Sequence, residues 1–153
     1  MLKHTWPLVI LLASLIATLP TAGRPLAQPP QQQLDFSFAG GGLIGVGSAP
    51  LSPGGKLTIN AVVKRLGQLG ATQIAISLQP GGRRLSVASV PPGPEGTRPQ
   101  SLSALLPKDL KPGSYRVRLQ IDPNNQVKES NEGNNIYNIS RAFQVAQPPP
   151  KQQ

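Results

Sequence analysis

The chain of 153 residues contains no cysteine, and its only histidine is His4. The missing thiols exclude disulfides, thiolate nucleophiles, cysteine-ligated zinc and iron–sulfur clusters. With one histidine there is no Ser-His-Asp or Cys-His relay within the folded part of the chain, no histidine-ligated metal and no imidazole base. Aromatic residues are also scarce, at 4%, which leaves little surface for stacking bases or sugars. Acidic residues number only 6 against 15 Lys and Arg, a formal net charge of +9. Long apolar runs are missing as well, apart from one at the amino terminus.

That terminal stretch reads MLKHTWPLVILLASLIATLPTAG, with Lys3, an apolar run from Leu8 to Leu19, then Pro20 and small residues through Gly23. A charged start, a short apolar core and a small-residue end form the grammar of a secretory signal peptide over residues 1–23, cleaved near Gly23. Twelve helical residues would rise about 18 Å, too short for a hydrocarbon core of roughly 30 Å, so no stable span is expected after cleavage. The protein is therefore expected to be exported, to the periplasm, the medium or the cell surface. Loss of Lys3 takes the basic count from 15 to 14 against the same 6 acids.

Proline and glycine are abundant, 18 and 16 residues. Residues 24–33, RPLAQPPQQQ, and 147–153, QPPPKQQ, lack apolar periodicity and read as a Pro/Gln-rich linker and a Pro-rich tail. Between them, over 34–146, the prolines fall between apolar stretches rather than inside them, the punctuation of an all-β chain. Tyr115, Val117, Leu119 and Ile121 alternate with Arg116, Arg118 and Gln120. Leu57 to Lys64 and Ile74 to Gln79 repeat that period of two, which buries one face of a strand and wets the other. Further strands are expected at Leu34–Phe38, Leu85–Val90, Leu102–Leu106 and Ile136–Val145, with turns at Pro80-Gly81-Gly82, Pro112-Gly113 and Pro123-Asn124-Asn125. A helix has room only at Ala104–Leu110, where Pro107 opposes it. About seven antiparallel strands in one module predict a two-sheet, immunoglobulin-like β-sandwich.

Gly40-x-Gly42-x-x-Gly45 matches the dinucleotide fingerprint in form, but Pro50 and Pro53 follow where a helix should begin. It reads instead as a glycine-rich bend between two strands. Polar residues concentrate from Asp122 to Asn135, DPNNQVKESNEGNN, which holds three of the six acids. Asp and Asn there favour turns and bonds to nearby backbone amides, so the segment is expected to close the connection into the last strands. The alternative is a calcium site using Asp122, Asn124, Glu129 and Glu132, although the spacing is not that of an EF-hand loop. A second alternative is a small hydrolase built on the Glu129 and Glu132 carboxylates. Apart from that calcium ion, no cofactor is expected.

Arg116 and Arg118 share one strand face, and Lys64, Arg65, Arg83, Arg84, Lys108 and Lys111 lie near turns. A basic surface draws anions. For an exported chain poor in aromatics this points to an envelope protein or acidic polysaccharide rather than nucleic acid.

The run Gly113-Ser114-Tyr115-Arg116-Val117-Arg118-Leu119-Gln120-Ile121-Asp122, continued by Asn125, Val127, Glu129-Ser130-Asn131-Glu132 and Asn134-Asn135, resembles the closing signature of the cell-adhesion-related domain found in bacteria, CARDB. The resemblance spans about Leu34 to Val145. It implies an immunoglobulin-like sandwich in an exported protein, serving as a non-catalytic accessory module for adhesion and for protein or carbohydrate contact. It also implies that Asp122, Asn125, Glu129, Glu132, Asn134 and Asn135 fix the last hairpin. The chain departs from the family pattern at Lys64-Arg65-Leu66-Gly67, where a small polar pair usually precedes the glycine.

Overall fold

The computed structural model describes residues 33–146 apart from Ser48 and Leu69. The expected signal peptide at 1–23, the tail at 147–153 and the linker up to residue 32 lie outside the described residues.

Within them the chain is all-β. Eight strands run in the order β1 (Asp35–Ile44), β2 (Lys56–Leu66), β3 (Thr72–Gln79), β4 (Arg84–Val90), β5 (Gly96–Leu105), β6 (Gly113–Ile121), β7 (Ile136–Asn138) and β8 (Phe143–Val145). One sheet has the order β1-β2-β5; the other has β4-β3-β6-β7, with β8 also pairing β6, and all these ladders are antiparallel. Two stacked antiparallel sheets form the expected sandwich.

The period-two pattern decides which face goes inward. Leu57, Ile59, Ala61 and Val63 of β2 meet Ile74, Ile76 and Leu78 of β3 and Val117, Leu119 and Ile121 of β6, all nearly inaccessible to water. Each of these Val, Leu and Ile side chains contributes about 1.5–3 kcal/mol by leaving water, and with no covalent staple this burial holds the layers together.

Two expectations change. Ile136–Val145 is two strands, not one, because β7 pairs Arg118–Gln120 while β8 pairs Gly113–Tyr115 farther along the same edge of β6. Gly40, Gly41 and Gly42 form no bend between strands; they continue β1, with a bulge between Phe38 and Gly40. Their small size has a use at Gly41, where an added Cβ would lie 3.1 Å from the Asn60 carbonyl and 3.2 Å from the Tyr137 ring. Tyr137 lies across β1 there, its hydroxyl donating to the Gly41 carbonyl at 3.4 Å. At Ala104–Leu110, where Pro107 opposed a helix, none forms: β5 runs to Leu105, and a turn closes from the Leu110 amide to the Pro107 carbonyl.

Candidate functional site

The polar segment leaves β6 at Asp122, whose backbone sits in the left-handed region at φ 43°, as does Asn125 at φ 51°. Asp and Asn tolerate this conformation because their short side chains bond locally. The Asp122 carboxylate accepts the amides of Gln126 at 3.0 Å and Val127 at 2.7 Å. The turn thus folds back on its own acid. Asn131 then caps a single 3-10 turn, Glu132–Asn134, by accepting the Gly133 amide.

Glu129 is the centre of the segment. It is buried, and its Oε2 accepts the Phe36 amide in β1 while Oε1 accepts the Asn135 side-chain amide at 3.1 Å. Glu132 accepts the Glu129 amide at 3.0 Å and the Asn135 side chain at 3.2 Å. The Asn125 amide, oriented to donate, lies 2.8 Å from the same Glu132 carboxylate. Asn134 donates to Asp35 at 2.9 Å, and the Ser130 amide donates to the Leu34 carbonyl at 2.8 Å. The connection from β6 to β7 is thereby tied to the start of β1, in the opposite sheet. Burial pushes the Glu129 carboxyl up to about 7; the neighbouring Glu132 and Asp35 push the same way, against the bonds from Phe36 and Asn135 that favour the anion.

As a metal centre this grouping departs from the sequence-based set. Asp122 spends both oxygens on backbone amides, and Asn124 turns to Gln73, at 3.4 Å. Among the described residues, no three His, Cys, Asp or Glu side chains stand where they could hold a metal ion. As a hydrolytic pair, Glu129 and Glu132 share one amide donor, and both oxygens of the buried member are occupied. The residues that the sequence did not single out here are Asp35 and Phe36, contributed by β1 more than ninety positions away in the chain.

The basic residues divide differently. Arg65 belongs to no surface: it is buried, its Nη2 donates to the Pro91 carbonyl at 2.8 Å, and its guanidinium lies 6.0 Å from the centre of the Phe36 ring. Burial depresses its pKa, with Arg98 adding repulsion. The expectation that it serves a basic face is therefore corrected; an inward position of β2 holds its long side chain among apolar neighbours. Arg83 is exposed but engaged, making two bonds at 2.9 and 3.0 Å to Asp109. This pair edges a hollow of about 310 Å³ lined by Leu78, Pro80, Leu110 and Tyr115.

Arg116 and Arg118 stand on the outer face of the larger sheet, as the alternation required. In register, Arg116 lies opposite Gln79, and Arg118 lies between Ser77 and Asn138. Ser77 is in turn opposite Arg84 of β4, so a row Arg84-Ser77-Arg118-Asn138 crosses four strands. Arg84 was legible only as a turn residue; a hairpin closing at Pro80-Gly81-Gly82 brings it back beside Ser77. No acidic residue occurs in β3, β4, β6 or β7, and the one ion pair among the described residues is that of Arg83 with Asp109.

Among the described residues no helix is long and apolar enough to cross a membrane. No curated protein matches the sequence. Among solved structures, the chain is similar to the CARDB domain of the PF1109 protein from Pyrococcus furiosus, crystallised in complex with di-metal ions. The two are 20% identical with a TM-score of 0.52, over 75% of this chain and 90% of that one. A solution structure of the same domain gives 19% identity and a TM-score of 0.50, over 74% and 96%. A domain of a putative cell surface protein from Methanosarcina acetivorans gives 19% and 0.53, over 75% and 94%. At such identities the likeness concerns the fold. The CARDB family model matches residues 44–139, from the end of β1 to just past β7. With that match covering well over half of the chain, and the sandwich and its closing loop in place, the protein belongs to the CARDB family.

Proposed function

We propose that this protein is an exported, non-catalytic binding module that contacts an envelope protein or acidic polysaccharide through the outer face of β6, with Arg116 and Arg118 as contact residues. One observation carries the reading. All six carboxylates of the chain accept hydrogen bonds from their own domain: Asp35 from Asn134, Glu95 from Gly67, Asp109 from Arg83, Asp122 from Gln126 and Val127, Glu129 from Phe36 and Asn135, and Glu132 from Glu129 and Asn135. The acids are spent on structure, while Arg116 and Arg118 have no carboxylate partner. Unneutralised charge at a surface is what an anionic partner can meet.

The test is binding of the purified domain to an acidic polysaccharide and to an acidic protein at about 50 and 150 mM salt, with the Arg116→Ala/Arg118→Ala double variant alongside. Attraction between exposed charges falls with screening, so the wild type should weaken at the higher salt and the double variant should bind weakly at both. Equal binding by the two proteins would sink the reading.

A second reading, a divalent cation at the 3-10 turn, has one observation in its favour. Asp35 Oδ1, Asn134 Oδ1 and Asn135 Oδ1 are buried oxygens without a hydrogen-bond partner, and oxygens of this kind suit a hard cation. The di-metal complex of the Pyrococcus domain makes the comparison relevant. Here the donors would be Asp35, Asn134 and Asn135 rather than Asp122 and Asn124. Titration with Ca²⁺ and melting with and without chelator decide it, since a ligand selective for the folded state raises stability. No heat and no shift would remove it.

A further inference from the structure

The outer face of the larger sheet has relief as well as charge. The central strand β3 presents small side chains there, Ala75 and Ser77, while its neighbours present long ones, Arg84 from β4 and Arg118 and Gln120 from β6. Between those walls lies a trough of about 160 Å³, lined by Ala75, Ser77, Gln79, Gly82, Arg84, Arg118 and Gln120. Ser77 separates the two arginines in register, so their backbones stand two strand spacings apart, about 9.5 Å. Both guanidinium groups can therefore address one object lying on Ser77.

Building on the binding-module reading above, we infer that this trough holds a carboxylated sugar residue of a linear acidic polysaccharide, with Arg84 and Arg118 gripping its carboxylate from either side. The guanidinium fork matches a carboxylate in two parallel hydrogen bonds, which a merely cationic surface does not require. The remaining polar lining groups are neutral: Gln79 and Gln120 offer donors and acceptors, and Ser77, whose hydroxyl donates to the Arg118 carbonyl at 3.3 Å, offers an acceptor, all suited to the hydroxyls of a sugar ring. The lining has no apolar pocket of the sort that would select the side chains of an acidic peptide. Arg116, one step along β6 and opposite Gln79, extends the positive strip in the direction a chain lying along β3 would take. Arg83 takes no part, because Asp109 already neutralises it on another side of the hairpin.

The experiment is calorimetric titration of the domain with hexagalacturonate, with its fully methyl-esterified form, with galacturonate monomer, and with a glutamate hexapeptide. The proposal expects the hexamer to bind, the ester to lose at least about tenfold, and the monomer and peptide to bind more weakly than the hexamer. Arg84→Ala and Arg118→Ala should each weaken the hexamer about tenfold, and Arg116→Ala about threefold. Ser77→Glu places a carboxylate between the two arginines, so it should abolish binding while the melting temperature holds or rises. That variant separates loss of the site from loss of the fold. Ester, monomer or peptide binding as well as the hexamer would overturn the inference. If Arg116→Ala and Arg118→Ala weaken binding but Arg84→Ala and Ser77→Glu do not, the trough is wrong and the broader face remains. If none of the four matters, both readings fall.

Discussion

Two polar regions of this domain are built from opposite charges and put them to opposite use. From Asp122 to Asn135 two of the three acids, Asp122 and Glu129, are buried, and all three accept hydrogen bonds from the domain's own backbone or side chains. On the outer face of β4-β3-β6 the arginines turn outward, and no carboxylate answers them. A carboxylate is short and accepts bonds only, so it suits the unpaired amides of a tight connection. A guanidinium on a long stem keeps its charge in water above a strand. The difference teaches that the densest polar motif in a sequence need not be its binding site. Here that motif closes the fold, and the more scattered arginines stand outward without a carboxylate partner.

This contrast is open to attack from either side. The largest effect is expected for Glu129→Ala, which strands the buried Phe36 amide and takes away one of the two acceptors of the Asn135 side chain. A cost of about 3 kcal/mol should lower the melting temperature by roughly 10 °C or more. An unchanged melting temperature would mean that the loop is not the clamp described. Asp122→Ala comes next: it removes the acceptor for two amides and leaves a left-handed residue without its local bond, about 2 kcal/mol by denaturant titration.

The third effect concerns pH. Because the Glu129 carboxyl is pushed up to about 7 in the folded protein from 4.5, the native state binds its proton more tightly than the unfolded chain does. Its stabilising contribution is full below 4.5 and lost as pH rises through about 7. Melting curves from pH 4.5 to 8 should show wild-type stability falling relative to that of Glu129→Gln, and parallel curves would contradict the assignment. The smallest effect on stability belongs to the other region. Arg118→Ala should change stability by no more than about 0.5 kcal/mol, while retention on an anionic matrix drops. A large destabilisation would show that the arginine supports the sheet rather than a partner.

The strands were legible because alternation of apolar and polar residues maps directly onto the two faces of a pleated ribbon. Ser114 to Ile121 is the clearest case, and β6 matches it to within one residue. The glycine run in β1 misled for a physical reason: glycine weakens a strand on average, but at Gly41 a neighbouring aromatic ring occupies the space a side chain would take. The single stretch Ile136–Val145 became two strands because pairing partners, not local composition, decide where a ladder breaks.

For the candidate site, the chain by itself determined the acidic turn and the outward projection of Arg116 and Arg118. Both follow from local chemistry: Asp and Asn side chains bond to amides a few residues away, and a period of two sorts faces within one strand. Tertiary structure alone decided that Glu129 would reach Phe36 in the opposite sheet, that Arg65 would meet the Pro91 carbonyl and the Phe36 ring, and that Arg84, Ser77 and Arg118 would share one row. Those relations depend on strand order, bulges and register, which arise from how two sheets pack their apolar faces together, and no local pattern encodes that packing.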